Sequence, residues 1–268
     1  MFNNINFVCC FRFSNQPGQD AARALLAKVY LVMGNYRKAQ EYAEASLLIR
    51  NDLIDYNSLD QLAARPLPSS VPSATSAGNK EVSFYAIAIS YSFSGSKASS
   101  TLIDSMLFDS YDANDLRKAI YFNNKGKRVV NIKANYSGNS SLFGGLTTSE
   151  MYLVLAECAA RNGDATLAMN TLNTLLEKRW KTGTFTKLTA VNEEDALMLV
   201  LRERRKELVG RGTRWSDLRR LNQDLRFAVT LERTVQGKPY LLPPGSNRYV
   251  FPIPADEIQL TGITQNPR

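Results

Sequence analysis

The first strong pattern along the chain begins at Asp20, after the breaker pair Pro17-Gly18. There Ala21, Ala24, Leu25, Ala27, Lys28, Val29 and Leu31 set small and apolar residues at helical spacing. Gly34-Asn35 stops that helix, and a second follows with Tyr36, Ala39, Tyr42, Ala43, Ser46 and Leu47 on its packing side. So short a turn forces the two helices antiparallel, and the spacing predicts a helical hairpin over 21–48. The same design returns 129 residues later: Ala27, Gly34 and Ala39 match Ala156, Gly163 and Ala168, and Asn35 matches Asp164, predicting a second hairpin over 151–178. Small residues let paired helices approach closely while glycine takes the left-handed conformation at the C-cap, the logic of a tetratricopeptide-like hairpin. Three matched positions are few, and two unrelated Ala-rich hairpins are the plainer alternative.

Between the hairpins, over 65–145, the helical period is lost. Pro66, Pro68 and Pro72 among Ser, Thr and Ala mark an irregular loop. The β-branched and aromatic run 82–93 reads as extended. The Asn/Gly/Ser-rich stretch 123–145 reads as a long surface excursion holding Tyr136 and Phe143. The cluster Asp109, Asp112, Asn114 and Asp115 offers oxygen ligands, but the EF-hand spacing and its Gly are missing, and Asp112 or Asn114 is more simply placed to cap a helix through Leu116, Ala119 and Ile120. Thr147-Thr148-Ser149-Glu150 fits a capping box that opens the Met151 helix. Further helices are expected at 193–209, ending at Gly210, and at 214–221, with an extended Pro-rich segment at 249–254. The fold class is therefore mostly α: tetratricopeptide-like helical hairpins with long irregular loops and little β structure. An irregular segment 1–20 precedes a single helical domain over 21–268.

Composition narrows the chemistry. The net charge of +8 draws +5 from 201–233, where ten Arg/Lys stand against five Asp/Glu. Those charges alternate in sign along expected helices with no aromatic stacking set between them, so solvated or ion-paired faces fit better than a nucleic-acid groove. The chain has no histidine, which removes Ser-His-Asp and Cys-His nucleophile systems, His-based zinc sites and the commonest general base. No nucleophile elbow or phosphate-binding loop is present, and Trp215 stands where the dinucleotide pattern begun by Gly210-Arg211-Gly212 needs its last Gly. A glycosidase-type carboxylate pair stays open, since any two of 25 acidic residues can meet in space. No catalytic residue, metal or cofactor is assigned. Three cysteines make no disulfide framework, and Cys158 sits in an apolar helical pattern as a small buried thiol. The start, Met1 to Cys10, lacks a basic n-region and is broken by three Asn, so neither a signal peptide nor a lipid anchor is evident.

Three stretches carry a family resemblance, in this order: Ser149-Glu150-Met151-Tyr152-Leu153-Val154-Leu155-Ala156-Glu157; Arg202 to Leu208 leading to Gly212-Thr213-Arg214-Trp215-Ser216-Asp217-Leu218-Arg219-Arg220; and Phe251-Pro252-Ile253-Pro254 with Glu257 and Gln265-Asn266-Pro267. Together they resemble the C-terminal portion of SusD-like (RagB/SusD) proteins, well over 79–268 and more loosely over the first hairpin, with the family segment proper at 149–268. The resemblance implies a non-enzymatic, glycan-binding protein of the outer membrane and cell surface. It would pass oligosaccharides to a TonB-dependent, SusC-like transporter, with membrane association only through a lipid anchor. Family members are usually longer, with a signal peptide, a lipidated Cys and more helical units ahead of the corresponding segment.

Sugar recognition needs flat aromatic faces plus amides. Tyr85, Tyr91, Phe93, Asn135, Tyr136, Asn139 and Phe143 are the ligand-binding candidates, although Tyr85, Tyr91 and Phe93 fit core packing equally well. A second group reads as structural. Leu197, Val200, Arg204 and Leu208 share one helical face, so Arg204 projects from apolar surroundings and needs a partner among Glu207, Glu203 and Asp217. Trp215, Leu218 and Leu221 recur at a spacing that buries one side of the following helix. The competing function is a tetratricopeptide-type protein-protein interaction scaffold; nucleic-acid binding is a third reading.

Overall fold

A computed structural model describes residues 17–69, 78–87, 102–126, 129–133, 136–138 and 142–268. The chain expected as a single domain over 21–268 divides into two compact units, Met1–Gly212 and Thr213–Arg268. The fold is mostly α-helical, with three two-stranded antiparallel sheets among the described residues.

The first unit is organised by the two expected hairpins. Helices α1 (Gln19–Val32) and α2 (Tyr36–Leu47) form one; further along, α5 (Thr148–Arg161) and α6 (Ala165–Glu177) form the other. Their turns correspond bond for bond at the 129-residue offset. Gly34 N–H donates to the Leu31 carbonyl and Asn35 N–H to Tyr30, as Gly163 does to Ala160 and Asp164 to Ala159. Both glycines have positive φ, +73° and +89°, which costs a residue without Cβ little. Asn35 and Asp164 then cap the second helices by accepting from Lys38 N and Leu167 N. Ala27, Ala39, Ala156 and Ala168 are all fully buried at the helix contacts. A repeat of this depth is not two unrelated Ala-rich hairpins. Helix α2 packs on α5, so the hairpins stack, and α7 (Glu193–Glu207) packs on α5 and α6.

The stretch between the hairpins is irregular but not peripheral. It contains β1 (Val82–Phe84), α3 (Ser105–Asp109), α4 (Arg117–Tyr121), β2 (Phe122–Asn124) and β3 (Val130–Ile132), and β4 (Leu146–Thr147) leads into α5. Strand β1 pairs with β4, and β2 with β3. The surface excursion expected over 123–145 is only partly one: Val130, Asn131, Tyr136, Ser137 and Phe143 are buried. Their aromatic bulk fills a second core with Tyr56, Tyr111, Tyr121 and Phe122, because the short segments here offer too few aliphatic positions to exclude water by themselves. The extended reading of 82–93 holds for Val82–Phe84, and residues 88–93 lie outside the described set. The side-chain cap expected from Asp112 or Asn114 does not form: α4 follows Leu116 without one, Asp115 Oδ1 accepts from Arg117 N at 3.1 Å, and Asp112 closes a turn at Asn114.

In the second unit, α8 (Arg214–Leu221) occupies the span expected for it. Strands β5 (Leu231–Val235) and β6 (Lys238–Leu242) form a hairpin turned by Gln236 and Gly237, both at positive φ. Tyr249 closes a single 3-10 turn rather than opening an extended run, and α9 (Ala255–Thr261) follows Pro254.

Candidate functional site

The densest chemistry in the first unit is a buried cluster of charges built on two arginines. Arg117, at the start of α4, directs Nε and Nη2 to Asp115 at 2.9 and 2.7 Å, Nη2 also to Glu203 at 2.6 Å, and Nη1 to Glu207 at 3.3 Å. Arg179, just beyond α6, directs Nε to the other oxygen of Glu207 at 3.0 Å, Nη2 to Glu81 at 2.9 Å and Nη1 to the Ile54 carbonyl at 2.9 Å. Its guanidinium lies 4.2 Å from the Tyr56 ring centre. Tyr136 donates its hydroxyl to Glu81, and Lys206 adds an ammonium 3.0 Å from Glu203. Both arginines are fully buried, and a charge so placed persists only when paired and hydrogen-bonded.

The electrostatics follow from that pairing. Burial pushes the Glu207 carboxyl up, but Arg179 and then Arg117 outweigh it and hold it below the usual carboxylate range. Burial acts likewise on Glu203, outweighed by Arg117 and Lys206. Burial would lower both arginines, yet their carboxylate partners leave them well above their ordinary values. Burial pushes the Tyr56, Tyr121 and Tyr136 phenols up. Ionised carboxylates locked against permanent cations are poor proton carriers at neutral pH. Their geometry clamps α7 to the segments carrying Glu81, Asp115 and Arg179.

A carboxylate outside the set expected for Arg204 also lies within its reach. Arg204 lies 3.6 Å from Glu150, on the face of α7 toward α5, and Glu150 also takes Lys28 Nζ from α1 at 3.1 Å. Burial raises the Glu150 carboxyl, but Lys28, Arg204 and Arg211 together lower it below its ordinary value. Thr147 caps α5 through Glu150 N at 3.3 Å, so half of the capping box forms while the Glu150 side chain serves the ion pairs. In the second unit Asp217 pairs with Arg220 at 2.9 Å. Trp215 is half-buried there, stacked on Phe251 with ring centres 5.5 Å apart, and donates Nε1 to the Tyr249 carbonyl at 3.1 Å.

Of the ligand-binding candidates, three come together. Phe143 lies between Tyr85, at 6.2 Å, and Tyr136, at 5.8 Å. Tyr136 and Phe143 are 2% and 1% exposed, with the Arg211 guanidinium over both rings, so they present no face to a ligand. Tyr85 is half-buried at the edge of the group. Tyr91, Phe93, Asn135 and Asn139 lie outside the described residues. Sequence reasoning missed Arg117, Arg179 and Glu81, and saw Asp115 only as one of a cluster of acidic and amide side chains. Arg179 was accessible to the argument used for Arg204, because Leu172, Leu175 and Leu176 continue at helical spacing onto it. Glu81 carries no such local signal. Phe251, 70% exposed with its back on Trp215, is an open aromatic face that the reading of Trp215 as structural passed over.

Comparison with known proteins bears on these features as a set. No curated protein matches the chain. Its fold is similar to a SusD superfamily protein of Bacteroides thetaiotaomicron VPI-5482, at TM-score 0.66 and 24% identity, over 95% of this chain and 61% of that one. It is also similar to a SusD-like carbohydrate binding protein of Bacteroides vulgatus ATCC 8482, at 0.65 and 20%, over 96% and 61%. A SusD superfamily protein of Parabacteroides distasonis ATCC 8503 compares at 0.65 and 15%, over 95% and 64%. The chain thus spans less than two thirds of each of these structures. The model of the SusD family matches residues 79–268, which carry Glu81, Asp115, Arg117, Arg179, the helix α7 clamp and the Trp215 stack. By that match over most of its length, the chain belongs to the SusD family.

Proposed function

We propose that this protein captures glycans without turning them over and passes oligosaccharides to a TonB-dependent, SusC-like transporter at the outer membrane and cell surface. The family match over residues 79–268 carries the reading. It is supported by the likeness in fold to a solved SusD-like carbohydrate binding protein. The buried carboxylates, held ionised by arginine and lysine, favour a scaffold that binds over one that moves protons. Among the described residues no helix is long and apolar enough to cross a membrane, in keeping with attachment by other means. Tyr85 remains the ligand candidate with an accessible edge; Tyr91, Phe93, Asn135 and Asn139 stay candidates beside it, while Tyr136 and Phe143 serve packing.

A glycan array on the full-length polypeptide, followed by calorimetry on the hits, tests the proposal. Saturable binding of an oligosaccharide that is recovered uncleaved is expected. Tight binding of a peptide with no oligosaccharide bound would favour the interaction scaffold instead. Steep loss of binding with salt would point to phosphate contacts and a nucleic acid.

A further inference from the structure

The turn between α5 and α6 carries a reactive pair that its counterpart in the first hairpin lacks. Asn162 is the one asparagine of the chain that a glycine follows. The 129-residue offset sets Met33-Gly34 against Asn162-Gly163, so the two turns match in their hydrogen bonds and differ in this side chain. Both Asn162 and Gly163 are exposed, and the peptide between them has no Cβ on its glycine side to shield its nitrogen.

The chemistry open to such a pair needs water alone. Gly163 N attacks Asn162 Cγ: the N–Cγ bond forms, the Cγ–Nδ2 bond breaks, and the peptide proton leaves with Nδ2 as ammonia. Water then opens the five-membered imide at either carbonyl. Breaking the new bond gives an aspartyl residue, and breaking the old peptide bond gives an isoaspartyl link. Nothing is oxidised or reduced.

The folded turn holds this reaction back in three ways. Ring closure needs Gly163 N swung round to eclipse Asn162 Cβ, whereas at a ψ of 5° it lies over the nitrogen of Asn162 itself. The Gly163 N–H is committed to the Ala160 carbonyl at 3.2 Å. Asn162 Nδ2 donates to Gln40 Oε1 on α2 at 2.7 Å, which fixes the carboxamide. Opening of the turn releases all three together, and exposed turns open locally at far smaller cost than the core beneath them.

We infer that Asn162 is a self-modification site, converted to aspartate or isoaspartate at a rate set by opening of the α5–α6 turn. The product acts where the two hairpins meet. Gln40 keeps its nitrogen on Glu44 Oε1 at 3.0 Å and its oxygen toward Asn162. An oxygen in place of Nδ2 therefore faces an acceptor, and the bond from the second turn to α2 is lost. Each conversion leaves the turn easier to open.

Incubating the whole chain in mildly alkaline buffer, with and without urea, and mapping its peptides by mass with fragmentation tests the inference. Amide-to-acid conversion is expected at Asn162 ahead of every other asparagine, with isoaspartate formed, and slower in the folded chain by about tenfold or more. Asp164→Ala, which removes the cap on Leu167 N, and Gln40→Met, which removes the bond from α2, should both speed the folded rate. Gly163→Ala should suppress conversion in urea as well. Hydrogen exchange across 160–164 should quicken in Asn162→Asp. Conversion at Asn162 no faster than at other asparagines in urea overturns the site. Equal rates in the folded and unfolded chain overturn its control by the turn, and unaltered exchange in Asn162→Asp overturns the effect on the contact with α2.

Discussion

Arg179 and Glu207 meet with both side chains wholly shielded from water: one carboxylate oxygen of Glu207 lies 3.0 Å from Nε and 2.9 Å from Nη2 of the guanidinium. The other oxygen reaches Arg117, so one side chain of α7 bridges the two buried arginines. The consequence for substitution is asymmetric. Arg179→Met removes a guanidinium from Glu81 and Glu207 and leaves both carboxylates short of positive charge, at a cost of about 3–5 kcal/mol. Glu207→Gln leaves Arg117 with Asp115 and Glu203, and Arg179 with Glu81, so the loss is nearer the roughly 1.5–3 kcal/mol of a charged hydrogen bond. Urea unfolding should rank Arg179→Met as the more damaging; the reverse order contradicts the clamp.

The acid side of the stability profile follows from Glu150, Glu203 and Glu207, all held below the ordinary glutamate value of about 4.3. Below that value the unfolded chain takes up protons that the folded chain still refuses, so folding stability falls as pH falls. Their contribution is complete above about pH 5 and is lost progressively as pH drops through the lowered folded values. Denaturant midpoints should hold from pH 7 to 5 and then decline, with a shallower decline in Glu207→Gln. A wild-type midpoint unchanged down to pH 3 would count against these buried pairs.

The raised phenols of Tyr56, Tyr121 and Tyr136 give the alkaline counterpart. Here the unfolded state loses protons near pH 10 while the folded state keeps them, so stability is whole below about pH 10 and falls above it. The Tyr absorbance change near 295 nm should appear later in the folded protein than in urea. Tyr136→Phe should remove part of that lag and, by leaving Glu81 without its hydroxyl donor, cost about 1–3 kcal/mol at neutral pH.

Much of the fold was legible because it rests on local, periodic signals. Gly34 and Gly163, followed by Asn35 and Asp164, announce both turns, and the helices lie within a few residues of 21–48 and 151–178. The β5–β6 hairpin was not read, because Gln236-Gly237 lacks the Asn-Gly or Asp-Gly signature of such turns. The charge cluster was legible only in part. Glu207 sits on a helix whose period exposes its surroundings, but Glu81 and Asp115 come from segments where only tertiary packing brings partners within reach. For the same reason Glu150, 54 residues from Arg204, was not foreseen beside it. The aromatic nominations treated the irregular middle of the chain as surface, and Tyr136 and Phe143 show it forming a core of its own.

The two turn glycines provide a clean test of the repeat. A Cβ at Gly34 or Gly163 meets nothing within 4 Å, so Gly34→Ala and Gly163→Ala add no steric clash and isolate the cost of a side chain at φ of +73° and +89°. Each should destabilise by roughly 1–2 kcal/mol. Similar shifts in midpoint at the two positions are expected, since the hydrogen bonds around them correspond one to one. A shift at one and none at the other would mean that the turns differ in a way their geometry does not reveal.

Trp215 and Phe251 stack with rings 21° from parallel, yet they stand differently toward water, Trp215 half-buried and Phe251 70% exposed. That difference separates a support from a surface. Trp215 also packs on Tyr249, at 5.0 Å between ring centres, and holds the 249 carbonyl through Nε1, so Trp215→Ala removes packing and a hydrogen bond together. A loss of about 2–4 kcal/mol is expected, below the upper range for a fully buried Trp because part of the ring is already solvated. Phe251→Ala forfeits little burial and should shift the midpoint by no more than about 1 kcal/mol. We expect oligosaccharide affinity to survive Trp215→Ala in whatever fraction of the protein remains folded, measured by calorimetry against the active concentration. If Trp215→Ala instead melts with the wild type while binding disappears, Trp215 contacts the ligand and is not a fold determinant. If Phe251→Ala alone abolishes binding at unchanged stability, the exposed ring is the sugar platform and Tyr85 yields that role.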